Sequence, residues 1–212
     1  MIIRKFLLIY TLLMFIVLPP SLFAQDKPDA LKEYRDGNYQ NAVALCQEEI
    51  KNDPSNLESY VVMGWSLLKL GRYDEAASAA MKGQTLSRYD PRLVEILGEV
   101  KYFQGKNAEA LKYFQQYTTL APEGGRIDTV YFYMGELYIR LAQFRHADIA
   151  LSTAVRYLPD NSLWWTRLGY ARENAGEIDG AISAYERALT LDGQSVDAKR
   201  GLDRTRESRG NR

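Results

Sequence analysis

Apolar and small residues recur along this chain with helical spacing. Tyr60, Met63, Gly64 and Leu67 fall at i, i+3, i+4 and i+7, one face of an α-helix. Ala76, Ala80 and Gly83 fall at i, i+4 and i+7, one face of a second helix. Between the two sets stands Gly71-Arg72-Tyr73-Asp74, a glycine stop followed by a polar helix start. The pattern predicts two antiparallel helices joined by a tight turn.

The same pattern returns three more times. Gly64, Gly98, Gly135 and Gly169 are spaced by 34, 37 and 34 residues, and each follows Met63, Leu97, Met134 or Leu168. Three residues before those apolar residues stand Tyr60, Val94, Tyr131 and Trp165, and twelve after each glycine stand Ala76, Ala110, Ala147 and Ala181. Four further on come Ala80, Phe114, Leu151 and Tyr185, then Gly83, Tyr117, Ala154 and Ala188. Turn residues recur as Gly71, Gly105, Ala142 and Gly176, and Pro54, Pro91, Pro122 and Pro159 punctuate the joints between pairs, where proline cannot continue a preceding helix. Glycine or alanine where the two halves face each other lets the helix backbones approach closely. One hairpin cannot bury its own face, so stacking the hairpins builds a continuous core.

These residues resemble the tetratricopeptide repeat, whose signature is an aromatic residue, Leu-Gly, Tyr, Ala, Phe and Pro at fixed offsets. Trp165-Thr-Arg-Leu168-Gly169 followed by Ala181-Ile-Ser-Ala-Tyr185-Glu-Arg-Ala188 matches it best. The resemblance implies an all-α, right-handed α-solenoid of antiparallel helix pairs. Repeats are expected at about 26–56, 57–90, 91–127, 128–161 and 162–195. In the first of these, Gly37-Asn38-Tyr39, Ala42, Cys46 and Pro54 hold the second-half positions, and the first helix is clipped. Lys101 and Arg172 depart from the pattern where Tyr is usual. The joint after Pro122, Glu123-Gly124-Gly125-Arg126, is three residues longer than its sisters and is expected to be a slack seam.

The first 24 residues read differently. Arg4 and Lys5 precede an apolar run from Phe6 to Leu18, closed by Pro19, Pro20 and Ser21-Leu22-Phe23-Ala24. That order describes a secretory signal peptide cleaved after Ala24. As a helix the 13-residue run reaches only about 20 Å, short of a hydrocarbon core of about 30 Å. Export to a periplasmic or extracellular compartment is the expectation. At the other end, Ser195 is expected to cap a final helix through Val196, Ala198 and Leu202. Residues 199–212 carry six Lys and Arg against Asp203 and Glu207, so 196–212 reads as a capping helix with a basic tail, able at most to touch acidic lipid headgroups or an acidic partner weakly.

Composition narrows the function. The chain of 212 residues has 27 Lys+Arg, 27 Asp+Glu, one Cys and one His. Zero net charge argues against a nucleic-acid binder working by phosphate neutralisation. One Cys excludes a disulfide scaffold and multi-Cys metal sites, and Cys46 is expected to be a buried, inert thiol. Glycine-rich phosphate loops, His-Glu-x-x-His and Gly-x-Ser-x-Gly do not occur in the sequence. His146, between Arg145 and Ala147, is expected to face solvent, and Glu48-Glu49, adjacent on a helix, point about 100° apart rather than forming an acid/base pair. Binding is therefore expected, with no enzymatic activity, cofactor or metal.

The resemblance places the first helix of each pair on an inner, concave face. Carried over position by position, that face comprises Glu58, Val61, Trp65 and Leu68; Arg92, Glu95, Glu99, Tyr102 and Phe103; Thr129, Phe132, Glu136 and Arg140; and Leu163, Thr166, Tyr170 and Glu173. Trp65, Tyr102, Phe132 and Tyr170 would form an aromatic ladder, with an acidic centre from Glu95, Glu99 and Glu136. Tyr102 and Phe103 are equally compatible with packing between repeats. The Lys and Asn set of carboxylate-clamp repeats is absent, since Val61, Trp65, Glu95 and Glu99 stand there. The expected function is a scaffold in a bacterial envelope, holding a peptide or helix of a partner protein within an assembly complex. A small-ligand accessory protein of a solute uptake system and a structural, oligomer-forming module are the alternatives.

Overall fold

The computed structural model describes residues 29–210, so the leader expected at 1–24 and the terminal Arg212 lie outside the described residues. Those residues form eleven helices and no strand. In chain order they are α1 (Ala30–Arg35), α2 (Tyr39–Asn52), α3 (Leu57–Lys69), α4 (Tyr73–Leu86), α5 (Pro91–Phe103), α6 (Asn107–Leu120), α7 (Ile127–Arg140), α8 (Phe144–Tyr157), α9 (Ser162–Ala175), α10 (Ile178–Leu191) and α11 (Val196–Gly210).

Local chemistry sets the ends. Asp29, Asn56, Asp90 and Asn161 each accept a backbone N–H at the start of an odd-numbered helix, and Pro91 occupies the first turn of α5. Gly37, Gly71, Gly105 and Gly176 take positive φ after α1, α3, α5 and α9. Ala142 does the same after α7 at φ 55°, a position its four sister copies give to glycine.

Each helix packs antiparallel on the next, and α1·α3, α3·α5, α5·α7, α7·α9 and α9·α11 also touch. Among the described residues the even-numbered helices do not touch one another in this way. The stack therefore curves, with the odd-numbered helices inside, and is an α-solenoid of helix pairs.

The repeated glycines mark where helices meet. A Cβ on Gly98, Gly135 or Gly169 would fall within 2.7 Å of Phe114, Leu151 or Tyr185, the large residues of the following helix. In the copy where that position is Ala80, Ile96 from the next pair fills the space over Gly64, 2.8 Å from such a Cβ. Tyr60 and Trp165, at equivalent places, donate to the carbonyls of Pro54 (3.3 Å) and Pro159 (2.7 Å), tying each helix to the joint before it. Met134 and Leu168 are buried and Met63 is partly so.

Arg172, where the pattern calls for Tyr, donates to Asp148 (2.8 Å) and Ser152 (3.1 Å) on α8 and to the Gly180 carbonyl (3.3 Å) on α10, cross-linking two copies. Cys46 is buried among Ala30, Ala42 and Val62, and burial pushes its thiol up to about 12. α11 closes the stack by laying Ala198 and Leu202 on Ala181, Ile182, Tyr185 and Ala188. Ser195 Oγ accepts the Ala198 N–H (3.4 Å). The tail is less free than its charge suggests: Arg204, Arg206 and Arg209 pair with Glu173, Glu186 and Asp179 of α9 and α10.

Candidate functional site: the inner helical face

The inner face differs from its sequence expectation in several places. Val61 is fully buried and Leu68 nearly so, both in the core with Leu93, Ile96 and Leu97, so neither can meet a partner. Their helix is packed on both flanks, which turns these apolar positions into seams. Thr166 is buried too, its hydroxyl donating to the Ser162 carbonyl (2.9 Å) within α9.

The acidic centre is also not exposed. Glu95 and Glu99 are buried beneath Arg126, whose Nε donates to Glu95 Oε1 (2.9 Å) and whose Nη2 donates to Glu99. Glu95 Oε2 accepts the indole N–H of Trp65 (3.0 Å). The Glu99 carboxyl is pushed up to about 9, first by burial and then by Glu95 beside it, so it holds its proton at neutral pH. Glu136 is likewise engaged, by Arg167.

Arg126 was not among the inner-face positions read from the repeat. It comes from the long joint after Pro122, expected to be slack. Instead the joint is tied down: the Arg126 N–H donates to the Tyr117 hydroxyl (3.3 Å) while its side chain reaches back to α5. Tyr34 and Tyr133 were also missed. Tyr34 stacks on Trp65 with ring centroids 5.8 Å apart, and Tyr133 lies 4.6 Å from Tyr102 and 5.5 Å from Phe114. Burial raises the phenol pKa of both, and the positive charge of Arg126 opposes the rise. The extra residues of the 37-residue spacing were the only sequence signal for Arg126, and it was read as slack.

The aromatic ladder is present in part. Trp65 is half-buried between Tyr34 and Glu95. Phe132 stacks on Trp164 at 5.0 Å and 11°, sealing the α7–α9 seam more than lining a groove. Tyr102 is half-buried, with the Arg140 guanidinium 4.0 Å above its ring. Tyr170 meets Phe144 edge-on at 6.3 Å and Arg167 at 5.3 Å. Arg140 is exposed, and Arg92 is held by Asp90 (2.8 Å) and Glu58 (2.7 Å). Phe103 is exposed and stacks on Tyr73, Leu163 is exposed, Thr129 bonds Asp128, and Glu173 accepts from Tyr185 and Arg204.

A hollow of about 520 Å³ lies among α8, the end of α9 and the start of α10. Arg145, Asp148, Arg172 and Glu177 line it together with Ile149, Ala175 and Gly180. His146 is exposed, its ring 5.3 Å from Tyr138. Among the described residues, no group of three or more His, Cys, Asp and Glu is placed to hold a metal ion.

With this geometry in view, a family model for the tetratricopeptide repeat matches residues 61–125 and 134–196. The chain belongs to the tetratricopeptide repeat family. It is similar to the peroxisomal targeting signal receptor of Saccharomyces cerevisiae, 28% identical over 174 residues, covering 76% of this chain and 27% of that one. It is also similar to anaphase-promoting complex subunit 7 of Arabidopsis thaliana, 27% identical over 165 residues and covering 77% and 29% of the two chains. The chain thus spans under a third of the length of these relatives. Among solved structures, YrrB, described as a TPR protein with an unusual peptide-binding site, superposes with a TM-score of 0.72 at 18% identity, covering 79% of this chain and 84% of that one. MamA superposes with a TM-score of 0.64 at 20% identity, covering 78% and 88%. At these identities the likeness is one of fold.

Proposed function

We propose that this chain is a non-enzymatic interaction scaffold of a bacterial envelope, which holds a peptide or helix of a partner protein against the odd-numbered helices. The observation carrying this reading is the row Tyr34, Trp65, Arg126, Tyr133, Tyr102 and Arg140, which puts half-buried rings and fixed guanidinium groups on one concave face. Rigid rings offer contact area at low entropic cost, and ordered charges give direction. The names of similar proteins, a targeting-signal receptor and a complex subunit, support binding of proteins as the class of work. Export rests on the leader of residues 1–24.

Two measurements test the reading. A photo-crosslinking amino acid placed at Tyr170 or Tyr102 should capture a partner in intact cells, while the same probe at Ile149, exposed on α8, should not. Capture only from Ile149 defeats the groove. Sequencing of the mature N-terminus should begin at Gln25, and an intact Met1 defeats cleavage.

A further inference from the structure

Glu95, Glu99 and Tyr102 stand at i, i+4 and i+7 of α5, a single stripe about 10 Å long. Two arginines flanking or ending α7 lie across it. Arg126 covers Glu95 and Glu99, and Arg140 covers the ring of Tyr102 at 4.0 Å while donating Nη1 to the Tyr102 carbonyl (3.3 Å). The order of layers decides what a partner meets. The Glu95 and Glu99 side chains are 1% and 8% exposed, whereas that of Arg126 above them is 39% exposed. The carboxylates are underneath; the guanidinium is on top.

Both arginines retain capacity. Arg126 uses Nε and Nη2 on the glutamates, leaving Nη1 without a hydrogen-bond partner among the described residues. Arg140 forms no ion pair among the described residues. By contrast Arg92 and Arg167 are taken by Asp90, Glu58 and Glu136. Arg126 lies on both carboxyl groups, burial raises the Glu99 pKa and so lessens the negative charge beneath it, and Arg140 adds a positive charge that no ion pair among the described residues offsets. Arginines already fixed by carboxylates and by a ring lose little freedom on accepting a ligand.

We propose that this two-arginine stripe takes a carboxylate side chain, Asp or Glu, from an internal extended segment of the partner. The inference rests on the groove reading above and reverses the acidic character expected from the sequence. Charge-assisted bonds from Arg126 Nη1 and Arg140 would supply the selection, and the surrounding rings the contact area.

Panning a displayed random peptide library on the purified chain tests this. Recovered sequences should be enriched in Asp or Glu. Synthetic copies should bind equally with an amidated or a free C-terminus, and should weaken about tenfold on Arg140→Gln and as salt is raised. Arg140→Gln removes no ion pair, only the bond to the Tyr102 carbonyl and the contact with its ring, and an unchanged circular dichroism melt confirms that the variant folds; Arg126→Gln also strips cover from buried glutamates. Enrichment of basic or uncharged sequences, undiminished binding to Arg140→Gln, or dependence on a free C-terminus overturns the proposal. If such sequences crosslink to the odd-numbered helices, the groove survives and only the acidic preference falls. No enrichment, with crosslinks confined to even-numbered helices, removes both.

Discussion

Arg126 Nε lies 2.9 Å from Glu95 Oε1, joining residues 31 positions apart across the α5–α7 seam. The same guanidinium bonds Glu99, and Glu95 also accepts from Trp65 on α3, so one cluster ties three successive helix pairs on their inner side. Removing its cation would leave Glu95 buried without a counter-charge. Arg126→Gln should therefore destabilise the chain by about 2–3 kcal/mol, less than the roughly 3–5 kcal/mol of a fully buried pair because the guanidinium is part-exposed. Urea denaturation checks it; a loss below about 0.5 kcal/mol would show the cluster to be incidental.

The cluster also sets a pH dependence. Glu99 holds its proton up to about 9 in the folded chain, against an ordinary carboxyl value of 4.5. Between those values the folded state binds the proton and the unfolded state does not, so stability falls as pH rises through that window. The contribution is complete below 4.5 and gone above about 9. Glu99→Gln mimics the protonated form, and it should flatten the decline in stability between pH values of about 5 and 9 while changing stability little at the acid end. Parallel slopes for the two proteins in denaturation at several pH values would contradict the assignment.

Close helix contact makes a sharper steric prediction. A methyl group at position 135 would sit 2.4 Å from Leu151 Cγ, inside the α7–α8 contact, and Leu151 is fully buried. Gly135→Ala should cost about 1–3 kcal/mol from overpacking, although alanine favours helix by up to about 1 kcal/mol. Gly193→Ala is the control: it would meet only the Leu189 carbonyl at 3.7 Å and should be near neutral. Thermal melts of the pair compare a crowded site with an open one in the α10–α11 turn, and equal melting temperatures would remove the steric account.

The helix pairs were legible because glycine, alanine and large apolar residues repeat at intervals set by helix geometry, and Gly98, Gly135 and Gly169 meet their large partners across the hairpins. The groove was legible only in part. A repeat pattern identifies which face a position occupies, but not whether a neighbouring pair covers it, which is why Val61 and Leu68 were assigned to the surface and lie in the core. Ion pairs between successive copies, such as Arg126–Glu95, Arg167–Glu136 and Arg204–Glu173, involve positions outside the repeat signature. Arg126–Glu95 and Arg167–Glu136 thus converted an expected acidic surface into a balanced one.

Ala142 offers a test of backbone strain. It adopts φ 55° after α7, a left-handed conformation that costs an alanine roughly 1 kcal/mol and a glycine almost nothing. Ala142→Gly should stabilise the chain by about 0.5–1 kcal/mol, reversing the usual penalty for glycine. A destabilised variant would mean that the Ala142 side chain makes a contact outweighing the strain.

Removal of residues 196–212 tests whether the basic end is a cap or a free tail. α11 covers Ile182 and Tyr185, Gly201 sits so close to the Tyr185 ring that a Cβ would fall 2.3 Å from Cζ, and Arg204 bonds Glu173. Exposing a large aromatic and a branched aliphatic side chain costs on the order of 3 kcal/mol, a fall of about 10 °C in Tm for a chain of this size. The truncated chain should also bind a hydrophobic dye and associate, because solenoid ends without a polar cap expose apolar surface. An unchanged Tm with dissociation of a pre-existing oligomer would instead make α11 an assembly element. An unchanged Tm and elution volume would leave the arginines of α11 as solvated charge, and the ion pairs to Glu173, Glu186 and Asp179 without structural consequence.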